Sequence, residues 1–243
     1  SVAAKRYDGD IWMDVAPSHR AELIRIGPGV VRFGDAIPID DEALAGDRTP
    51  RPDGSPDCAG KCSHLHVDGG LWRVSAEGDD HDRAGGIVGV RIPLLSVGPR
   101  DHIGLTGPNG LGKSTIIGAL LRAAADVRTL SIAQNTTSDD ARRAMTRLTG
   151  LLAEQRARVL SSVAQLNADP DKLLTGENPS PGELRKLLLC LGLLDRPELI
   201  VMDEPTNHLD LGSKEALARV LADYPGALIV VSHERWFIEQ VVS

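Results

Sequence analysis

Gly107-Pro108-Asn109-Gly110-Leu111-Gly112-Lys113-Ser114-Thr115 fits the phosphate-binding pattern G-x-x-x-x-G-K-[ST] at every fixed position. The pattern also stands in the context its mechanism needs. Asp101 to Thr106 reads as a short apolar strand running into it, and the residues from Lys113 onward read as a helix. Glycines let the backbone curl so that several N–H groups point inward at a helix N-terminus, which makes an anion nest. Lys113 adds a point charge for β- and γ-phosphates, and Ser114 offers a hydroxyl to Mg²⁺.

A second chemical element is Leu199-Ile200-Val201-Met202-Asp203-Glu204, an apolar strand ending in two carboxylates. Ligands of open parallel sheets bind outside the strand C-termini. Asp203 suits Mg²⁺, and Glu204 can polarise an attacking water. A third element is Ser180-Pro181-Gly182-Glu183. Ser180 reads as an N-cap, Pro181 as N1 and Glu183 as the N3 member of a capping box. That is a well-made helix start. It is equally a second phosphate-binding end, because glycine at N2 bares backbone N–H groups.

The elements that position these residues change character along the chain. Residues 1–97 read as an antiparallel β unit, with strand-like runs at Ile11–Val15, Leu23–Ile26 and Val30–Phe33, a hairpin about Gly69-Gly70, and a return to strand from Ile87 to Val97. Two acidic insertion loops interrupt it, at about 34–63 and 77–86. Residues 98–243 alternate short apolar runs with helical stretches, as buried parallel strands and crossover helices do. Helical pattern fills about 135–196; its arginines Arg142, Arg143, Arg147, Arg156 and Arg158 read either as a solvated face or as a contact for an acidic partner.

Composition narrows the class. The chain has 243 residues, 42% of them hydrophobic but only 3% aromatic, so its core must be aliphatic. A formal net charge of −7 argues against a fragment that coats nucleic acid by itself. No apolar run approaches the length of a membrane span, no signal-peptide pattern opens the chain, and the three cysteines do not suggest a disulfide framework. These features predict a cytoplasmic protein without direct membrane insertion.

Taken in order, the motifs resemble those of the ATP-binding-cassette (ABC) ATPases. Gly107–Thr115 resembles the Walker A loop, Gln134 the glutamine of the Q-loop, and Ser180-Pro181-Gly182-Glu183 the signature loop. Asp203-Glu204 resembles the Walker B pair, Leu209-Asp210 the D-loop, and His233 the switch histidine. The resemblance covers roughly residues 87–242. It implies an α/β fold: a P-loop NTPase cassette with an N-terminal antiparallel β subdomain, a mostly parallel core sheet and a short helical subdomain. It implies ATP and Mg²⁺ as cofactors, ATP hydrolysis as the activity, Gln134 as a further Mg²⁺ ligand, and Glu204, His233 and Gln134 as the catalytic set. Two departures stand out. The usual Leu-Ser-Gly-Gly is here Pro179-Ser180-Pro181-Gly182, and no aromatic stands shortly before the phosphate loop to stack on adenine; Trp72 and Phe33 are the nearest candidates.

Glu204-Pro205-Thr206-Asn207-His208-Leu209-Asp210 and Ser232-His233-Glu234-Arg235-Trp236-Phe237 resemble the ABC-F branch. Its members carry two cassettes on one chain and act on the ribosome as translation factors or antibiotic-resistance proteins. That resemblance implies the second, C-terminal cassette of a longer protein. The first cassette or a second copy would be its partner in an ATP sandwich, the ribosome would be reached through the full-length protein, and turnover would be weak in isolation. The alternative is the nucleotide-binding subunit of an ABC membrane transporter. Finally, Cys58, Cys62, His64 and His66 have the composition of a tetrahedral Zn²⁺ site on one short segment; the other reading is an incidental reduced pair of thiols.

Overall fold

The computed structural model describes residues 11, 13–15, 20–33, 62–76, 89–175 and 179–242. Apolar runs of four or five residues form the centre. Strands β9 (Leu199–Asp203) and β10 (Ala227–Val231) are buried almost throughout, because helices cover both faces of a parallel sheet. Alternate side chains then serve two different cores. Ile200, Met202, Leu228 and Val230 join the helical side, whereas Leu199, Val201, Ala227, Ile229 and Val231 join the side facing the N-terminal unit. Each of these apart from Ala227 contributes about 1.5–3 kcal/mol on burial.

Strand β7 (His102–Thr106) pairs in parallel with β10, β10 with β9, and β9 with β8 (Thr129–Ile132). On its other side β7 pairs in parallel with β4 (Leu71–Ala76), so the N-terminal unit continues the same sheet. Beyond β4 lie β3 (Cys62–Asp68), β5 (Gly89–Ile92) and β2 (Gly29–Arg32), giving the eight-strand order β2-β5-β3-β4-β7-β10-β9-β8. A separate two-stranded ribbon joins β1 (Ile24–Ile26) to β6 (Leu95–Val97).

Several expectations change in detail. The β3–β4 hairpin turns at Gly69-Gly70 as its sequence predicts, with Gly69 at φ 55°. Pairing in the N-terminal unit is not wholly antiparallel, because β3 and β5 run parallel. The run from Ile87 to Val97 is two strands in different sheets, split at Pro93, whose missing N–H ends the ladder. Described residues of the Ile11–Val15 run form no strand: Ile11, Met13 and Val15 pack on the helical core, and Asp14 pairs with Arg196 at 2.8 Å. Cys62 and Ser63 belong to β3, not to the first acidic loop. Residues 34–61 and 77–88 lie outside the described residues, as do Cys58 and the Cys62 side chain on which the zinc reading depends.

The helices follow from their caps. Helix α1 (Lys113–Ala123) continues directly from the phosphate loop. The stretch after Gln134 folds as α2 (Ser138–Gly150), α3 (Ala153–Gln165) and α4 (Pro170–Leu174). Thr137 and Asp140 close a capping box on α2, and Asp169 with Pro170 starts α4. Four of the arginines here are paired within the chain. Arg142 and Arg143 reach Asp139, Arg158 reaches Glu154, and Arg147 reaches Asp195. Helix α5 (Pro181–Leu193) is buried on most sides; α6 (Leu211–Ala222) and α7 (Arg235–Val241) complete the layer. Inside α5, burial pushes the Cys190 thiol up to about 12, which keeps it protonated and unreactive.

Candidate nucleotide-binding site

The phosphate loop takes its shape from glycines at two places where nothing else fits. Gly107 has φ 138°, and a Cβ there would lie 2.5 Å from the Val74 carbonyl oxygen. Gly112 has φ 99° and would drive a Cβ to 2.2 Å from Val90 and 2.8 Å from Phe33. Gly112 is also the N-cap of α1 and offers no side chain to its first turn. The amides of Lys113, Ser114 and Thr115 are therefore among those an α-helix leaves without an internal acceptor. Lys113 Nζ curls into the loop and donates to Gly107 O at 2.6 Å, Pro108 O at 3.0 Å and Asn109 Oδ1 at 3.2 Å.

An open cleft of about 570 Å³ lies over this loop. Asn109, Gly110, Gly112, Lys113, Ser114 and Thr115 form its floor. Gln134 after β8, Asp203 and Glu204 at the end of β9, and His233 after β10 form its wall. All stand at the C-terminal ends of parallel strands, where neighbouring strand ends converge. Pro108 and Leu111 complete the loop; the Leu111 carbonyl accepts a hydrogen bond from the buried Ser63 hydroxyl of β3 at 2.6 Å.

The two carboxylates have different surroundings. Burial pushes the Asp203 carboxyl above the usual carboxylate range, the charge of Glu204 adds to this, and Lys113 and Arg185 oppose it. A divalent cation would relieve both penalties. The facing donors, Ser114 hydroxyl, Gln134 amide and Asp203 carboxylate, are oxygens, the set a hard ion such as Mg²⁺ takes. Glu204 sits in the left-handed region at φ 47°, held by its N–H donating to Val231 O at 2.8 Å. This turn keeps its side chain 8% exposed, with Oε2 at 2.8 Å from Nδ1 of His233.

Ser180 and Gly182 stand apart from this cleft. Ser180 caps α5 in a full capping box: its Oγ accepts from Glu183 N at 3.3 Å, and Glu183 Oε2 accepts from Ser180 N at 2.9 Å. Burial works to raise the Glu183 carboxyl, but the Ser180 hydrogen bonds and Lys172 bring it below the usual range. Gly182 packs on the next turn, where a Cβ would meet His208 O at 3.0 Å. Asp210 caps α6 through Ser213 N at 2.9 Å and Ser213 Oγ at 2.8 Å.

The structure separates the two aromatic candidates. Trp72 is 2% exposed in the core, whereas Phe33 is 37% exposed and forms part of the cleft wall beside Gly112. Sequence order hid this, because Phe33 and the loop are brought together by the β2–β5–β3–β4–β7 ladder across two inserts. Ser63 had no local signal at all.

No protein-family model matches the chain. Among curated proteins, it is 35% identical over 153 residues to YdiF of Bacillus subtilis, covering 57% of this chain and 24% of YdiF. It is 30% identical over 164 residues to ABC transporter F family member 5 of Arabidopsis thaliana, covering 61% of this chain and 24% of that protein. A shorter stretch of 66 residues is 48% identical to the energy-dependent translational throttle protein EttA of Mycobacterium tuberculosis, covering 27% of this chain and 12% of EttA. The chain thus matches at most about a quarter of the length of these relatives. Among solved structures, RNase-L Inhibitor is similar with 17% identity and a TM-score of 0.47, over 74% of this chain and 35% of that one. The curated homologues are ABC-F ATP-binding proteins, and it is to these that the chain is similar over the matched stretch.

Proposed function

We propose that this chain is one half of a two-cassette ATPase that acts on the ribosome. The observation that carries the reading is the convergence of Lys113, Ser114, Asp203, Glu204 and His233 on one cleft. Lys113 and the first-turn amides of α1 would hold the β- and γ-phosphates, Lys113 exchanging its loop carbonyls for phosphate oxygens. Ser114, Asp203 and Gln134 would hold Mg²⁺, which neutralises charge on those oxygens. Glu204 orients the attacking water and takes its proton as the water oxygen bonds to the γ-phosphorus and the β–γ bridge breaks, leaving ADP and phosphate. His233 holds the Glu204 carboxylate and reaches toward the γ-phosphate. Phe33 takes the adenine face.

Ser180 and Gly182 lie outside this cleft, which fits a role toward nucleotide held by a partner: the first cassette of the full-length protein, or a second copy. The ribosome is proposed from the named role of EttA as a translational throttle, and a cytoplasmic location follows from it. Among the described residues no helix is long and apolar enough to cross a membrane. The test is co-sedimentation of the full-length protein with ribosomes in Mg²⁺-ATP, using Glu204→Gln and its counterpart to slow hydrolysis. Pelleting with ribosomes is the expected result; ATP turnover without any ribosome association would remove that part of the proposal.

A further inference from the structure

Helix α5 starts at Ser180 and buries two adjacent cations. Both Nη groups of Arg185 are spent on backbone carbonyls. Nη2 donates to Gln134 O at 2.7 Å, and Nη1 donates to Asn207 O at 2.7 Å, with Pro205 O at 3.4 Å. The first acceptor follows β8 and carries the cleft glutamine; the other two follow Glu204 directly. Lys186 grips the far end of the second loop, donating to Ser213 Oγ at 2.7 Å, whose hydroxyl donates to Asp210 Oδ2 at 2.8 Å. Gly182 packs against the middle of that loop at His208.

We propose that Arg185 is a positioning residue for ATP hydrolysis, tying the helix that begins at Ser180 to the two loops that carry Gln134 and Glu204. The proposal rests on the two-cassette reading above. Engagement of Ser180 by a partner's nucleotide then moves α5, and α5 cannot move without moving both loops. A planar guanidinium suits this work, because its two Nη atoms diverge toward separate loops, whereas the donors of an ammonium all radiate from one nitrogen. Arg185 is 2% exposed, and a residue that only filled this space would do so without the desolvation cost of a cation. Burial accordingly pulls the Arg185 guanidinium below its ordinary value, with the Asp203 charge opposing the shift. Among the described residues none of these hydrogen bonds reaches the phosphate loop, so nucleotide capture and turnover should separate.

The experiment uses the full-length protein and measures binding of a fluorescent ATP analogue, kcat, KM and thermal stability. Arg185→Met is expected to bind the analogue within about threefold of the parent and to lower kcat about tenfold or more. Arg185→Lys is expected to recover part of kcat by serving one loop; if the Met variant does not fold, reduced kcat at parent affinity in the Lys variant carries the test. Leu187→Ala, a buried change in the same helix, controls for lost stability and should keep kcat. Parental kcat in the Arg185 variants, a loss of kcat only in step with affinity, or an equal loss in Leu187→Ala would overturn the proposal. A parent protein that fails to hydrolyse ATP would instead overturn the ATPase reading beneath it.

Discussion

His233 Nδ1 lies 2.8 Å from Glu204 Oε2, joining the second residue after β10 to the first residue after β9 across the mouth of the cleft. His233 is 64% exposed and Glu204 8%, so the exposed ring can meet incoming nucleotide while the carboxylate stays fixed. Glu204→Gln in the full-length protein should lower kcat by about 10²–10⁴-fold with nucleotide affinity retained. His233→Ala should lower kcat and leave KM nearly unchanged. Steady-state kinetics check both, and parental turnover in Glu204→Gln would refute the assignment.

Lys113 makes its three hydrogen bonds within the phosphate loop, so its removal leaves the fold intact and the anion uncompensated. Lys113→Ala should weaken ATP by about 10- to 100-fold in calorimetry. Equal affinity would mean that the nucleotide sits elsewhere.

Ser180 and Gly182 do not line the cleft of Lys113 and Glu204, and in the proposed sandwich they serve the nucleotide of a partner cassette. The isolated chain should be monomeric in sedimentation and hydrolyse ATP slowly. Brisk turnover that does not change with protein concentration would contradict the sandwich.

Phe33 and Trp72 should separate in mutagenesis. Stacking on a base is worth about 1–3 kcal/mol, so Phe33→Ala should weaken ATP roughly tenfold with little change in melting temperature. Trp72→Ala should cost about 3–5 kcal/mol of stability. A stability loss from Phe33→Ala with unchanged ATP affinity would return Phe33 to the core.

Backbone and side-chain hydrogen bonds from Ser213 hold the Asp210 carboxyl below the usual carboxylate range. A depressed folded value means that this stabilisation is present above the unfolded value and is lost as pH falls through the folded one. Asp210→Ala should cost about 1 kcal/mol near neutrality. It should also flatten the acid limb of stability, as chemical denaturation at stepped pH would register. An unchanged acid limb would place the acid sensitivity elsewhere.

Motif-bearing turns were legible in the sequence because each is local. The G-x-x-x-x-G-K-S spacing, the Asp203-Glu204 strand end and the Ser180 capping box depend on residues within one turn of each other. Pairing partners were not legible. Whether β3 meets β5 in parallel depends on what lies beside it in the sheet, and alternation along one strand cannot report that. Ile11, Met13 and Val15 have the two-residue spacing of a strand face yet pack on the helical core. Arg185 carries no sequence signal for a similar reason, since its acceptors are carbonyls that any residue would supply.

The parallel pairing of β4 with β7 limits how the chain can be cut. Gly104 N donates to Gly70 O at 2.7 Å, and Leu228 N donates to Asp101 O at 2.9 Å, so the strand feeding the phosphate loop has no free edge. Amides there should exchange with solvent only through large-scale opening. A fragment begun just before Asp101 would retain every phosphate-loop residue and still expose a bare apolar edge along β7, an invitation to strand-by-strand aggregation. A minimal fragment should therefore keep the hairpin of β3 and β4, which covers that edge and, through Ser63, holds the Leu111 carbonyl of the phosphate loop.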